Sequence, residues 1–248
     1  IPWVIMLTVT ILQFTTLAMK GGAYVYYFEN YVSKNSLSDF ISPIIDLLSN
    51  IGINFFGSDP VSAGFGLFNA GGIIFMIIGI GLSKMLADKY GKRNVFAIFL
   101  FISTLFILVF YVFSPDSIIL IFGAQIFHGF FYGITIPLLW AMIADVADYS
   151  EWKNNRRATA IIFSAMMVGL KLGLSIGGAL VASILGSYGY VPNSPGEQTE
   201  SAILGTKMLV SVFPSIPFLL AAGLLFFYII DKDLEDKIEQ DLLNRRKD

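Results

Sequence analysis

The residues with the most chemistry to offer are lysines set inside long apolar stretches. An ammonium near the middle of a bilayer costs about 2.5 to 3.5 kcal/mol on insertion scales, so it faces protein or a water-filled cavity rather than lipid. Lys171 lies 13 positions after Ala158 and 15 before Gly186, too deep to escape at either end. Counted helically, it shares a face with Ala160, Ser164, Met167, Ser175, Gly178 and Ala182, a narrow strip of small and polar groups expected to look inward. Lys20 repeats the pattern with Gln13, Thr16, Tyr24, Tyr27 and Tyr31 at three- and four-residue spacing. Such a wall suits a polyhydroxylated ligand, because aromatic faces pack on apolar ring surfaces while hydroxyls, amides and ammoniums bond the rim. For the outer tyrosines the competing reading is an interfacial aromatic belt.

Further candidates for the same binding surface are Gln125 and His128, which share a face with Tyr132 and Thr135, then Trp140, displaced around that helix, and Asn69. His128 is the only imidazole, and an interhelical hydrogen bond competes with a proton-relay role. Asp145, Asp148 and Glu151 follow at i, i+3 and i+6, ahead of Lys153, Arg156 and Arg157, and Asp88, Lys89 and Arg93 lie in a second charged segment. Two-metal hydrolysis would need imidazoles or a nucleophile beside the acids, so a conditional charge latch fits better, with a solvated loop as the plain alternative.

The elements that must position these groups are membrane helices. The 248 residues are 56% hydrophobic and only 14% charged, against roughly 25% charged in soluble proteins. Nearly charge-free blocks at 1–32, 61–86, 94–115, 117–144, 158–186 and 203–230 each meet the roughly 20-residue requirement for crossing hydrocarbon as a helix. The expected fold is therefore an all-α membrane protein, a six-transmembrane-helix bundle over 1–230 followed by an amphipathic cytoplasmic tail at 231–248. Residues 33–60 carry apolar positions at helical spacing around Pro43, as a short interfacial helix or an external loop would. Lysines and arginines cluster after the second, fourth and sixth spans, which places both ends in the cytoplasm of a multi-pass plasma-membrane protein.

Composition also excludes several functions. The sequence contains no cysteine and a single histidine, so disulfides, thiolate nucleophiles, His clusters and a metal site in this part are not expected. The net charge of -2 leaves no basic groove for nucleic acid, and no cofactor is expected. The start at Ile1, without an initiator methionine or a basic segment before the first apolar block, reads as an internal piece of something longer.

Two segments carry a family resemblance. Asp88-Lys-Tyr-Gly-Lys-Arg93 is similar to the cytoplasmic D-[RK]-x-G-[RK]-[RK] signature of the major facilitator superfamily. Met142-Ile-Ala-Asp-Val-Ala-Asp-Tyr-Ser-Glu-Trp-Lys153, with Arg157, Lys171-Leu-Gly-Leu and Gly189-Tyr-Val-Pro-Asn193, resembles the glycoside-pentoside-hexuronide:cation symporters, the melibiose-carrier group. The resemblance implies the carboxyl-terminal six-helix half of a twelve-helix carrier, with a sugar held between two bundles and exposed alternately. It further implies coupling Na+, H+ or Li+ bound mainly in the absent amino-terminal bundle, and a bacterial inner-membrane location. Lys171 matches that family's functional lysine in the eleventh helix, Trp140 an aromatic sugar contact, and Asp145, Asp148, Glu151 and Arg157 fall in its loop between helices ten and eleven. The alternatives are a lysolipid or other amphiphile carrier of the superfamily, an intramembrane enzyme using His128, and a non-transporting sensor.

Overall fold

A computed structural model describes residues 2–52, 59–156, 158–192, 194 and 197–245. Among them the chain is all helix: α1 (Pro2–Asn30), α2 (Lys34–Asn50), α3 (Pro60–Tyr90), α4 (Lys92–Leu108), α5 (Ile118–Asn154), α6 (Thr159–Ser187), α7 (Glu200–Val210), α8 (Val212–Leu224) and α9 (Lys232–Arg245). Six segments are long and apolar enough to span a membrane: α1, α3, α4 with its closing 3-10 turn, α5, α6, and α7 with α8. No strand occurs among the described residues, and the arrangement is that of half a major facilitator fold.

Local chemistry sets the helix limits. α3 starts because Asp59 accepts the Ser62 amide (2.8 Å) and hydroxyl (2.7 Å) while Pro60 supplies a first helical residue with no amide hydrogen to satisfy. These bonds, from the Ser62 hydroxyl first and its amide second, hold the Asp59 carboxyl below its ordinary pKa. The sixth span divides at Ser211, three residues before Pro214, whose ring nitrogen cannot donate to the preceding turn. Hydroxyls bond carbonyls on either side of the break: Ser211 Oγ donates to Lys207 O, Ser215 Oγ to Ser211 O, and Thr16 Oγ1 of α1 to Pro214 O. The single helix expected at 203–230 is thus two.

α5 runs ten residues beyond the block that ends at 144, closing at Asn155 in the left-handed region (φ 51°). Asp145, Asp148 and Glu151 therefore stand on the last turns of a helix, which corrects their placement in a loop. The physical reason is that their i, i+3, i+6 spacing continues one half-buried face of the helix beside the buried face of Met142, Val146 and Ala147.

The bundle packs in two layers of core. Toward the α9 end, Met6, Phe96, Leu100, Met142, Phe218 and Tyr228 are enclosed, and toward the α2 end Tyr24, Tyr27, Phe28, Phe68 and Phe110. α2 lies on this second layer through Leu37 and Ile41, with Leu37 set against Gly64. Ser36 Oγ also donates to Asp116 Oδ1 at 2.7 Å, and Ser36 and Ser33 together hold that carboxyl below its ordinary pKa. That contact persists above the ordinary carboxylate range and is lost only as pH falls through the lowered value. At the opposite end α9 folds back on the bundle, burying Ile238 and Leu242.

Candidate functional site

Two faces of the bundle carry the polar groups singled out above, and they point in different directions. α6 buries Ile162, Met166, Gly169, Gly173, Gly177, Val181 and Leu185, the row that meets α1. The other side of α6, with Ser164, Lys171, Ser175 and Gly178, is exposed on the outside of the six-helix bundle. Ser175 Oγ bonds the Lys171 carbonyl at 2.9 Å, and the Lys171 ammonium has no ion-pair partner among the described residues.

Lys20, in contrast, is enclosed, with 6% of its surface exposed. Its ammonium lies 3.5 Å from Gln125 Oε1 and 5.2 Å from the centre of the Tyr24 ring, and the Tyr24 hydroxyl donates to the same amide oxygen at 3.2 Å. Gly173 packs against Ile11, and Gly177 against Thr15 and Ala18, so Lys171 stands near the level of Ile11. Lys20, nine residues further along α1, is displaced by about 13 Å at 1.5 Å per residue. In this arrangement Lys20 is enclosed within the bundle and Lys171 is exposed on its outside. α1 is surrounded by α3, α5, α6, α7 and α8, whereas α6 is covered mainly by α1.

The Lys20 group continues as a polar seam between α1 and α5. Gln13 Nε2 donates to the Tyr132 hydroxyl at 3.0 Å, and the His128 and Tyr132 rings stack 5.8 Å apart. His128 Nδ1 lies 2.9 Å from Ser103 Oγ and 3.1 Å from the Ser103 carbonyl, so its ring is tied to α4. Tyr27 is fully enclosed, and Tyr31 donates to the Phe113 carbonyl at 2.5 Å. Asn69 is half-buried and bonds its own helix at Phe65 O (3.1 Å), while Trp140 is half-buried against the core. No group of three or more metal-ligating side chains occurs among the described residues.

Gln125 is the acceptor that this seam depends on. Gln125→Leu is expected to lower stability by about 2 kcal/mol, because it leaves the Lys20 ammonium and the Tyr24 hydroxyl without an acceptor inside the bundle. Thermal unfolding in detergent reads this directly, and a wild-type melting curve for the leucine variant would show that the contact carries no energy.

The charged latch has different partners from those expected. Lys92 bonds both oxygens of Asp145 (2.7 and 2.8 Å) and also Glu235 of α9 (2.8 Å). Arg93 Nη1 donates to Tyr228 O at 3.0 Å, Lys232 Nζ donates to the Asp88 carbonyl, and Lys89 lies over the Tyr90 ring. On α5, Trp152 Nε1 donates to Asp241 at 2.8 Å, and Arg245 reaches the Trp152 carbonyl and Asn155. Asp148 lines a cavity of about 310 Å³ with Lys92, Asp145, Glu235 and Glu239. Glu151 is half-buried, Arg156 is exposed with its carbonyl bonded by Ser150, and Arg157 lies outside the described residues. Lys92, Glu235, Trp152 and Asp241 were not singled out from sequence. Lys92 stands inside the Asp88–Arg93 segment, and the apolar stripe of the tail was the signal that α9 docks.

Comparison with known proteins agrees with this geometry. Residues 47–232 match the family model described as MFS/sugar transport protein. The inner membrane symporter YicJ of Escherichia coli is 30% identical over 177 residues, 69% of this chain and 37% of that one. A glucuronide carrier protein homolog of the same organism is 28% identical over 186 residues, 73% of this chain and 40% of that one. The isoprimeverose transporter of Lactiplantibacillus pentosus is 26% identical over 242 residues, 97% of this chain and 44% of that one. In each case the chain spans less than half the relative's own length.

Proposed function

The chain belongs to the MFS/sugar transport protein family, a family of transporters rather than enzymes, and from that premise we propose that it is the carboxyl-terminal half of a cation-coupled symporter for a sugar, glycoside or hexuronide. The finer placement among the glycoside-pentoside-hexuronide:cation symporters rests on the Met142–Lys153 segment and on relatives named for glucuronide and isoprimeverose. Substrate lies between this bundle and an amino-terminal one, against the Lys171 face of α6. The observation that carries this is an ammonium with no ion-pair partner among the described residues, on an exposed strip of small and polar residues in a membrane-spanning helix. Such a strip is costly against lipid and favourable against a wet cavity.

Lys20, Tyr24, Tyr27, Gln125 and His128 form the layer behind that wall, and they meet substrate when α1 rocks during alternating access. Trp140 and Asn69 line the same space. Hydrogen bonding selects hydroxyl geometry, and Lys171 favours a carboxylate or sulfonate on acidic sugars. The coupling Na+, H+ or Li+ neutralises carboxylates of the amino-terminal bundle. The Asp88–Arg93 segment and the end of α5 hold one state at the cytoplasmic mouth of a bacterial inner-membrane protein, with both ends of this chain on that side.

Counterflow of labelled neutral glycosides, pentosides and uronates in vesicles bearing the complete carrier, with Na+ and H+ varied, tests the reading. Exchange of a lysolipid and of no sugar would replace it with an amphiphile carrier. In the same assay Lys171→Ala is expected to reduce transport about 10- to 100-fold, the worth of a charged hydrogen bond to substrate. The side chain is exposed, so folding is preserved. Full affinity and coupling in this variant would remove Lys171 from the site.

A further inference from the structure

A cleft lies between α4 and α8, at the α9 end of the bundle, and of its lining only Arg93 has a part in the reading above. It encloses about 530 Å³, and its walls include Ala97, Ile98 and Phe101 of α4 with Leu219, Ala222 and Phe226 of the α8 segment. Small residues open it: Gly223 also lines it, and a Cβ added there would meet nothing within 4 Å. Both helices are membrane spans with exposed apolar neighbours, Leu105 on α4 and Leu220 on α8, so the cleft faces hydrocarbon.

Its rim is polar and positive. Arg93 and Asn94 complete the lining, and no carboxylate belongs to it. Arg93 stands on the first turn of α4, whose cap, Gly91, supplies no side-chain hydrogen bond, so the positive end of the helix adds to the guanidinium. Two bonds, from Nη1 to Tyr228 O (3.0 Å) and from Nε to Asn94 Oδ1 (3.4 Å), fix the side chain and leave donors to spare. A purely apolar ligand would gain nothing from Arg93, and a soluble phosphate would gain nothing from the walls. A molecule with acyl chains and an anionic head uses both, and basic pockets between membrane helices are sites for such headgroups.

We propose that the α4–α8 cleft binds one anionic phospholipid, its phosphate on Arg93 and the α4 N-terminus and an acyl chain between the two helices. Tyr228, whose carbonyl Arg93 holds, is the fourth residue before α9, so the bound headgroup steadies the strap that carries α9 onto the bundle.

Native mass spectrometry of the purified protein in mild detergent, titrated with phosphatidylglycerol or phosphatidylcholine, tests this. Wild type is expected to prefer phosphatidylglycerol about fivefold, the worth of one basic residue near a membrane surface. Arg93→Gln erases the preference, lowering phosphatidylglycerol binding more than phosphatidylcholine binding, whose choline cation offsets what the phosphate gains from Arg93. Ala97→Phe fills the cleft, keeps Arg93, and lowers retention of both lipids. Inorganic phosphate at millimolar concentration does not displace the lipid. The proposal is overturned if Arg93→Gln keeps the preference, if Ala97→Phe retains both lipids as wild type does, or if phosphate displaces phosphatidylglycerol. Should Arg93→Gln not fold, the Ala97→Phe result decides.

Discussion

Gly133→Val is expected to leave no folded bundle. A Cβ at Gly133 would stand 2.2 Å from the Met76 carbonyl oxygen and 2.9 Å from Met76 C and Cα, all backbone atoms of α3. The same closeness recurs at Gly129, 2.3 Å from Gly72 O, and at Gly79, 2.1 Å from Phe130 O, so the two helices are notched into each other over about two turns. Backbone cannot rotate away as a side chain can. Relief requires α3 to move off α5, which strips contact along its whole length, in a solvent that offers little hydrophobic drive to restore it. The cost is expected to exceed about 4 kcal/mol, the range reserved for severe core lesions. Gly81→Val is the control, on the partner helix α3, exposed, with nothing within 4 Å. Size-exclusion chromatography and thermal unfolding in detergent should separate the two variants, and equal behaviour would mean that the α3–α5 notch does not hold the bundle.

Lys92→Met has the second-largest expected effect, about 3 kcal/mol. Lys92 is the only basic residue recorded in an ion pair with Asp145 among the described residues, and the Asp145 side chain is 13% exposed. Removing the lysine leaves a largely buried carboxylate without its counter-charge, while Glu235 loses its tie to α4. Glu235→Gln, on the other side of the same lysine, should cost only about 0.5 kcal/mol, because that carboxylate is 28% exposed and Asp145 still satisfies the lysine. The ratio between the two melting shifts is the test. Equal shifts would make Glu235, and so the docking of α9, as important as the internal pair.

These expectations draw on features of unequal visibility in the sequence. The acids at 145, 148 and 151 announced their helical spacing, but Lys92, the partner of Asp145, is 53 residues away from it, and Glu235 is 90 away. Sequence spacing reports neighbours on one helix and is silent across helices. Trp152 and Asp241 illustrate the same limit, since nothing in their spacing pairs them until α9 is folded back over the end of α5. The break at Ser211 stands just ahead of Pro214 and Pro217, yet the Thr16 hydroxyl that bonds the Pro214 carbonyl comes from α1, 198 residues away in the chain.

The two lysines mark the boundary most sharply. Periodicity alone assigned Gln13, Thr16, Lys20 and Tyr24 to one face of a helix and Ser164, Lys171 and Ser175 to one face of another, and the membrane spans followed from apolar length. Both results are properties of a single segment in a uniform solvent, so no neighbour is needed to derive them. Which way each face turns is a different quantity. It is set by helix rotation, fixed here by the glycines of α6 seated against Ile11 and Thr15 of α1, and by the number of helices that surround each span. α1, enclosed by the bundle, carries its lysine inward to Gln125, and α6, covered chiefly on one side, leaves Lys171 outward. Only the packed tertiary structure decides between these outcomes, because close contact between backbones depends on residues far apart in the chain.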